Sequence, residues 1–283
     1  MIHLLLASLL WAFSFGLIKG RLAGLDPVIV SLIRLALASL AFAPFLFRHQ
    51  LQRSGVIPAM LLGALQFGLM YVLYIASFSY LPAWMVALFT VMTPLYVLLL
   101  AGIRDRKLPV RYLAAVVLAV AGGAVVLARG LPEGAGWQGI ALLQGANLCF
   151  AAGQVFYPDL KRRYGAADGP LLAWMYLGAV MVPAVVLAFK GGVKGEMPRG
   201  NQLVVLLYLG LVPTALGFYL WNKGAALVRP AFLASINNLK VPLAVLVSWI
   251  VFAEKTDFPR ALLGLALVVA ALFIAGPGES EKA

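Results

Sequence analysis

Apolar side chains run along this chain in ten stretches of roughly 16–22 residues, each long enough for a helix to cross ~30 Å of hydrocarbon. They cover 2–18, 28–47, 57–78, 83–102, 110–128, 138–157, 169–189, 202–221, 231–252 and 260–276. Turn chemistry separates them at Asp26-Pro27, Leu81-Pro82, Leu108-Pro109, Gly130–Gly136, Asp168-Gly169-Pro170, Arg229-Pro230 and Phe258-Pro259. Proline just inside a helix start removes an N–H that would be unpaired anyway. Backbone solvated by lipid must satisfy its own hydrogen bonds, so helices or a closed barrel are the available spanning structures. Barrel strands would be about half as long and would alternate apolar with polar residues. The pattern predicts an all-α polytopic membrane protein with ten transmembrane helices.

The ten stretches form two sets of five. Leu81-Pro82-Ala83 through Thr93-Pro94-Leu95 lines up with Arg229-Pro230-Ala231 through Val241-Pro242-Leu243. Tyr74 and Ser77 match Tyr219 and Asn222, Asp26-Pro27 matches Gly169-Pro170, and Arg106-Lys107 matches Glu254-Lys255. Five is odd, so a duplicated unit re-enters the membrane in the opposite sense. The expected organisation is two inverted five-helix repeats, 1–130 and 131–283, the second ending in a short acidic tail. Inverted repeats of this sort characterise secondary transporters, with the site between the halves near the midplane.

Composition agrees: 63% of residues are hydrophobic and 11% charged, with a mean hydropathy of +0.98, whereas soluble chains carry about a quarter charged residues. The net charge of +12 has a membrane explanation, since Lys and Arg gather at helix ends and favour the cytoplasmic side. With the N-terminus inside, twelve Lys and Arg fall on the cytoplasmic side and eight outside. A multi-pass protein of the cell (inner) membrane with both termini cytoplasmic is expected. No basic run alternates with aromatics as a nucleic-acid surface requires. The lone Cys149 has no disulfide partner in the chain and reads as a small buried hydrophobe. Met1–Ile18 lacks a basic lead-in and reads as a retained first helix rather than a signal peptide.

Polar residues within the apolar stretches fall on helical stripes. The third segment aligns Gln66, Met70, Tyr74 and Ser77; the eighth aligns Tyr208, Val212, Ala215, Tyr219 and Asn222; the sixth aligns Asn147, Ala151 and Gln154; the first aligns Trp11, Ser14 and Ile18. Two roles compete for these residues: lining a solute path, or pairing across helices as packing contacts worth ~0.6 kcal/mol each. Lys240, in the middle of the ninth segment, has no acidic neighbour before Glu254. At that depth a charge costs at least ~2.5–3.5 kcal/mol. It either binds an anionic group of a solute, loses its proton during coupling, or bonds carbonyls freed by Pro242; Asn237 and Asn238 adjoin it. Arg34 in the second segment reads as structural, its head group reaching toward the interface. Pro94 and Pro242 occupy equivalent positions and read as hinge or gating points, against a simple packing kink. Gly63, Gly68, Gly122, Gly123, Gly210 and Gly217 would let helices approach closely.

Leu10–Phe15, Pro27 with Arg34, Tyr219–Lys223 and above all Asn238–Leu243 running on to Phe252-Ala253-Glu254 form a recognisable set. In these stretches the chain resembles the EamA-like branch of the drug/metabolite transporter superfamily. The resemblance covers nearly the whole chain and implies a ten-helix framework with the first, third, sixth and eighth helices around a cavity. The second half departs by lacking a counterpart of Trp11 and offering Asn147, Cys149 and Gln154 instead. Taken with the stripes, it implies a substrate site of Trp11, Gln66, Tyr74, Asn147, Tyr219, Asn222, Asn238 and Lys240. Members export varied metabolites, so the substrate class stays broad: amino acids, amines or organic anions.

The sequence offers little for catalysis. His3 and His49 are far apart, there is no His-Cys-Glu cluster with metal-ligand spacing and no phosphate-cradling GK[ST] loop, and all ten acidic residues sit near helix ends, loops or the tail. The expectation is a non-enzymatic secondary transporter (an exporter or exchanger) without cofactor or metal. Its partners would be a small solute, the bilayer, and a proton or counter-solute; its oligomeric state is left open. The rivals are a membrane-embedded enzyme or lipid-handling protein, and a non-transporting assembly subunit.

Overall fold

A computed structural model describes residues 2–48, 51–106, 134–193, 195–227 and 258–275, with isolated positions between 110 and 122 and at 250. The described elements are helical throughout: α1 (Ile2–Arg21), α2 (Pro27–Phe42, followed by the short helix Pro44–Arg48), α3 (Arg53–Ser77), α4 (Ala83–Arg104), α5 (Trp137–Arg163), α6 (Asp168–Phe189), α7 (Asn201–Ala225) and α8 (Phe258–Ala275). They correspond to segments one to four, six to eight and ten. The fifth and ninth segments lie outside the described residues, and with the ninth go Asn238, Lys240 and Pro242. Six of the described helices are long and apolar enough to cross a membrane, and α2 is a shorter apolar helix.

Several helices outrun their predicted spans because the backbone ladder continues into the polar residues that flank each apolar stretch. In α5, Lys161, Arg162 and Arg163 form a basic last turn, which suits the negative end of the helix dipole. At the start of α2 the Asp26 carboxylate caps the Val28 N–H at 2.9 Å and pairs with Lys190 at the end of α6, also at 2.9 Å. Lys19 closes the same end of the bundle by donating to the Phe78 carbonyl at 2.7 Å. At the opposite end Lys161 and Tyr157 both donate to Asp168, each at 2.7 Å, and Arg104 reaches Asp159 at 3.0 Å. The Asp26 end and the Asp168 end are therefore each fastened by polar contacts, with the apolar core between them.

Helices from the two predicted halves interleave instead of standing side by side. α6 packs along α2 and α3, α5 along α3 and α4, and α1 along α7. The tightest approach is between α3 and α6. A side chain on Gly63 would collide with the Met175 backbone, and one on Gly178 with the Met60 backbone. Those two glycines let the helices touch main chain to main chain.

Three helices depart from α geometry in mid-span. α3 widens to a π turn at Ala64–Leu69, α7 does so at Gly210–Leu216, and α4 tightens to a 3-10 turn at Thr90–Met92 immediately before Thr93-Pro94. The two π turns fall in helices that the sequence repeat places in register. Such irregularities inside membrane spans need side chains to take up freed backbone groups, and those side chains build the site.

A cavity between interleaved helices

Pro213 in α7 has no N–H, which leaves the Leu209 carbonyl without its usual helical partner. Thr214 supplies the donor: its hydroxyl bonds Leu209 at 2.6 Å. Side chains of other helices then take the carbonyls exposed by the widened turn. Trp11 Nε1 donates to Pro213 at 2.9 Å and the Tyr176 hydroxyl to Thr214 at 2.8 Å.

This bonding fixes the orientation of Arg34. The Thr214 hydrogen is committed to Leu209, so its oxygen accepts, receiving Arg34 Nε at 3.2 Å and Nη2 at 3.1 Å. The Tyr71 hydroxyl lies 2.9 Å from the same oxygen and must donate to it, while accepting Arg34 Nη2 at 3.0 Å. The guanidinium carbon sits 4.5 Å from the centre of the Tyr71 ring, within the range of cation–π attraction. Arg34 is only 2% exposed. Its head group turns into the bundle rather than toward the interface, which corrects the sequence expectation: neutral hydroxyls on α3 and α7 hold it inside. One of its nitrogens, Nη1, has no hydrogen-bond partner.

The break in α4 is organised in the same way. Thr93 N–H folds back to the Thr90 carbonyl, Asn147 Nδ2 takes the Phe89 carbonyl at 2.9 Å, and Thr93 donates to Asn147 Oδ1 at 3.2 Å. Asn147 therefore clasps the broken helix from α5.

Between Arg34 and Asn147 lies a cavity of ≈ 70 Å³ bounded by six helices. α1 contributes Trp11, Ser14 and Phe15; α2 Arg34; α3 Met70, Tyr71 and Tyr74; α4 Thr90 and Thr93; α5 Ala146, Asn147 and Phe150; α7 Phe218. The aromatic rings pack on one another, with Trp11 5.0 Å from Phe218 and 5.8 Å from Phe150, and Phe15 6.0 Å from Tyr74. The volume suits a handful of waters and is below the several hundred Å³ of a typical metabolite pocket. The helices stand close around an unexpanded site. A second cavity of ≈ 370 Å³ lies between α1, α2 and α3 at the Asp26 end, bordered by Ile18, Lys19, Pro27 and Phe78.

Of the residues expected at the site, Trp11, Tyr74 and Asn147 line the central cavity. Gln66 and Asn222 do not. They bond each other at 3.4 Å in a separate buried layer, with Gln154 and Trp221 also buried. Gln66 Oε1, Asn222 Nδ2, Gln154 Nε2 and Trp221 Nε1 have no hydrogen-bond partner. Tyr219 is half-buried and faces Phe42, 6.1 Å between rings, with Lys223 at its hydroxyl. Pro94 lies in the first turn after the α4 break. Among the cavity residues outside the sequence stripes are the polar Arg34, Tyr71, Thr90 and Thr93 and the aromatic Phe15, Phe150 and Phe218, with Thr214 behind Arg34. A detectable signal was Arg34 itself, a cation in a membrane segment with no acidic residue to neutralise it.

The profile of the EamA-like transporter family matches residues 1–128 and 137–276. The chain is 40% identical to a protein of Pseudomonas aeruginosa named Probable biotin transporter, over 99% of this chain and 98% of that one. It is 34% identical to the Biotin transporter of Salmonella typhimurium, over 96% and 91% of the respective lengths. A solved crystal structure shares the fold with a TM-score of 0.69 and 18% identity, covering 97% of this chain and 96% of that one. Apolar helices repeated along the chain and family matches spanning both halves of it lead to one conclusion: this multi-pass membrane protein belongs to the EamA-like transporter family.

Proposed function

We propose that the chain is a secondary transporter carrying a small metabolite by alternating access, with biotin the first substrate to test. The observation that carries this reading is the central cavity, enclosed by α1 to α4 together with α5 and α7 and containing a buried cation. A site bounded by helices from both predicted halves is what transport between two faces requires. The cavity is small as it stands, so binding must spread helices apart, and tilting of helices against a shared core would open one end while closing the other.

In this reading the repeats 1–130 and 131–283 are inserted in opposite senses and ten helices cross the cell membrane. Both termini lie in the cytoplasm, and the Asp26 end faces outward. Trp11, Tyr74 and Asn147 contact solute in the closed cavity. Gln66, Asn222 and Tyr219 meet it along the path toward the cytoplasm, and Asn238 and Lys240 contribute from the ninth segment. Pro94 and Pro242 serve as paired hinge points. Biotin is favoured because relatives matching almost the full chain bear that name. Driving force comes from the solute's own gradient or from exchange with a proton or counter-solute.

The test is uptake of radiolabelled biotin into proteoliposomes containing the purified protein. Saturable uptake, competed by unlabelled biotin, is expected. Uptake no faster than into protein-free liposomes, with no counterflow of any amino acid, amine or organic acid, would overturn the transport reading.

A further inference from the structure

We infer that Arg34, oriented by Tyr71 and Thr214, receives the carboxylate of the transported solute, so that this protein selects monocarboxylates over zwitterions, amines and neutral amides. The inference rests on the transport reading and adds the substrate class. Arg34 lines the cavity, is almost wholly buried, and keeps Nη1 without an acceptor. The other two guanidinium nitrogens bond hydroxyls, which satisfy donors, and no carboxylate among the described residues pairs with the positive charge. A cation buried without a counter-charge is costly, and an incoming carboxylate supplies both the missing charge and the missing acceptor, with the planar two-oxygen geometry a guanidinium prefers.

The remainder of the cavity restricts the solute further. None of its described lining residues is acidic, and segments 110–128 and 231–252 contain no Asp or Glu. A solute ammonium would therefore find no counter-charge there while Arg34 repels it, which disfavours free amino acids and amines. Next to Arg34 the surface is aromatic and apolar (Trp11, Phe15, Met70, Phe218), and beyond it Asn147 and Thr93 offer neutral polar atoms. The complementary molecule has one carboxylate, an apolar middle and an uncharged hydrogen-bonding group at its far end. Tyr71 and Thr214 are positioning residues: they hold the guanidinium and do not replace it.

The deciding measurement compares acids with their primary amides on purified protein in detergent. Biotin, 5-phenylvalerate and octanoate should each raise the melting temperature, and biotinamide, 5-phenylvaleramide and octanamide should not. In proteoliposomes biotin should outcompete biotinamide by about 10- to 100-fold, the range for a lost charge-assisted hydrogen bond. Arg34→Gln should erase the acid-over-amide preference in both assays, Arg34→Lys should retain part of it, and Tyr71→Phe should raise KM while keeping the preference. If Arg34→Gln fails to fold, the Lys and Phe variants still decide. Equal treatment of acids and amides by the unmodified protein would overturn the inference even where transport itself is observed. So would a preference that survives Arg34→Gln and disappears in Lys240→Met. No stabilisation by any of the three acids would also overturn it, whereas failure of the transport reading appears separately as absence of all flux.

Discussion

Two polar regions lie inside this bundle, and they are built to different standards. Around Arg34 nearly every donor and acceptor is used: Thr214 bonds Leu209, Tyr71 bonds Thr214, Trp11 takes Pro213, and a single guanidinium nitrogen is left over. About five residues earlier in α3, roughly 7.5 Å along the axis, the Gln66–Asn222 contact is long at 3.4 Å, and four buried polar atoms around it are unpartnered. Satisfied networks are rigid, whereas partly satisfied ones carry a desolvation cost that other conformations can relieve. In the proposed transport cycle the first region would serve recognition of a specific chemical group, and the second would serve closure, gaining hydrogen bonds when water reaches it.

The sharpest way to break that contrast is Thr214→Val. The substitution removes the acceptor for two Arg34 nitrogens and the hydroxyl donor to the Leu209 carbonyl, at about 1–3 kcal/mol for each buried group left unpaired. We expect biotin uptake to fall by an order of magnitude or more and the melting temperature to drop clearly; uptake kinetics and thermal unfolding on one preparation check both. The Gln66→Leu/Asn222→Leu double variant should behave in the opposite way. Replacing both members of a poorly satisfied pair by apolar groups is near neutral or stabilising. The melting temperature should hold or rise while transport slows several-fold, because the layer no longer gains by hydration; faster transport would contradict its role in closure.

A smaller effect is expected from Trp11→Phe, which keeps a ring against Phe218 and Phe150 but loses the bond to Pro213. About 1 kcal/mol of stability and a few-fold rise in KM should follow, measured by unfolding and uptake. Lys190→Met, at the fastening between α2 and α6, should cost least, no more than about 1 kcal/mol for a half-exposed ion pair. Transport should change little, since neither region includes it.

Much of this was legible in the sequence. Trp11, Tyr74 and Asn147 lie on stripes counted at 3.6 residues per turn, and all three reach the cavity. The count failed where the helix is not α. In α7 the π turn at Gly210–Leu216 interrupts the 3.6-residue count begun at Tyr208, and beyond it Phe218 meets the cavity while Tyr219 faces Phe42. In α3 Tyr71, three residues before Tyr74 in the α-helical stretch after the widened turn, shares its cavity face, although the count started from Gln66 passed over it. Pro213 hinted at an irregular α7, but nothing in the sequence marks Ala64–Leu69 as π. Arg34 was misplaced for another reason: long cations near helix ends often reach outward, and only the hydroxyls of Tyr71 and Thr214, far apart in sequence, explain why this one does not.

The backbone contact of α3 with α6 at Gly63 and Gly178 has a mechanical consequence. With no side chains between them there is no soft layer to shear, so a slide of even one turn would drive a neighbouring Cβ into main chain. These two helices, one from each predicted five-helix set, would travel as a single strut. In the proposed transport cycle the rocking would be taken up by the helices arranged around that strut, and by the irregular turns in α4 and α7 most of all.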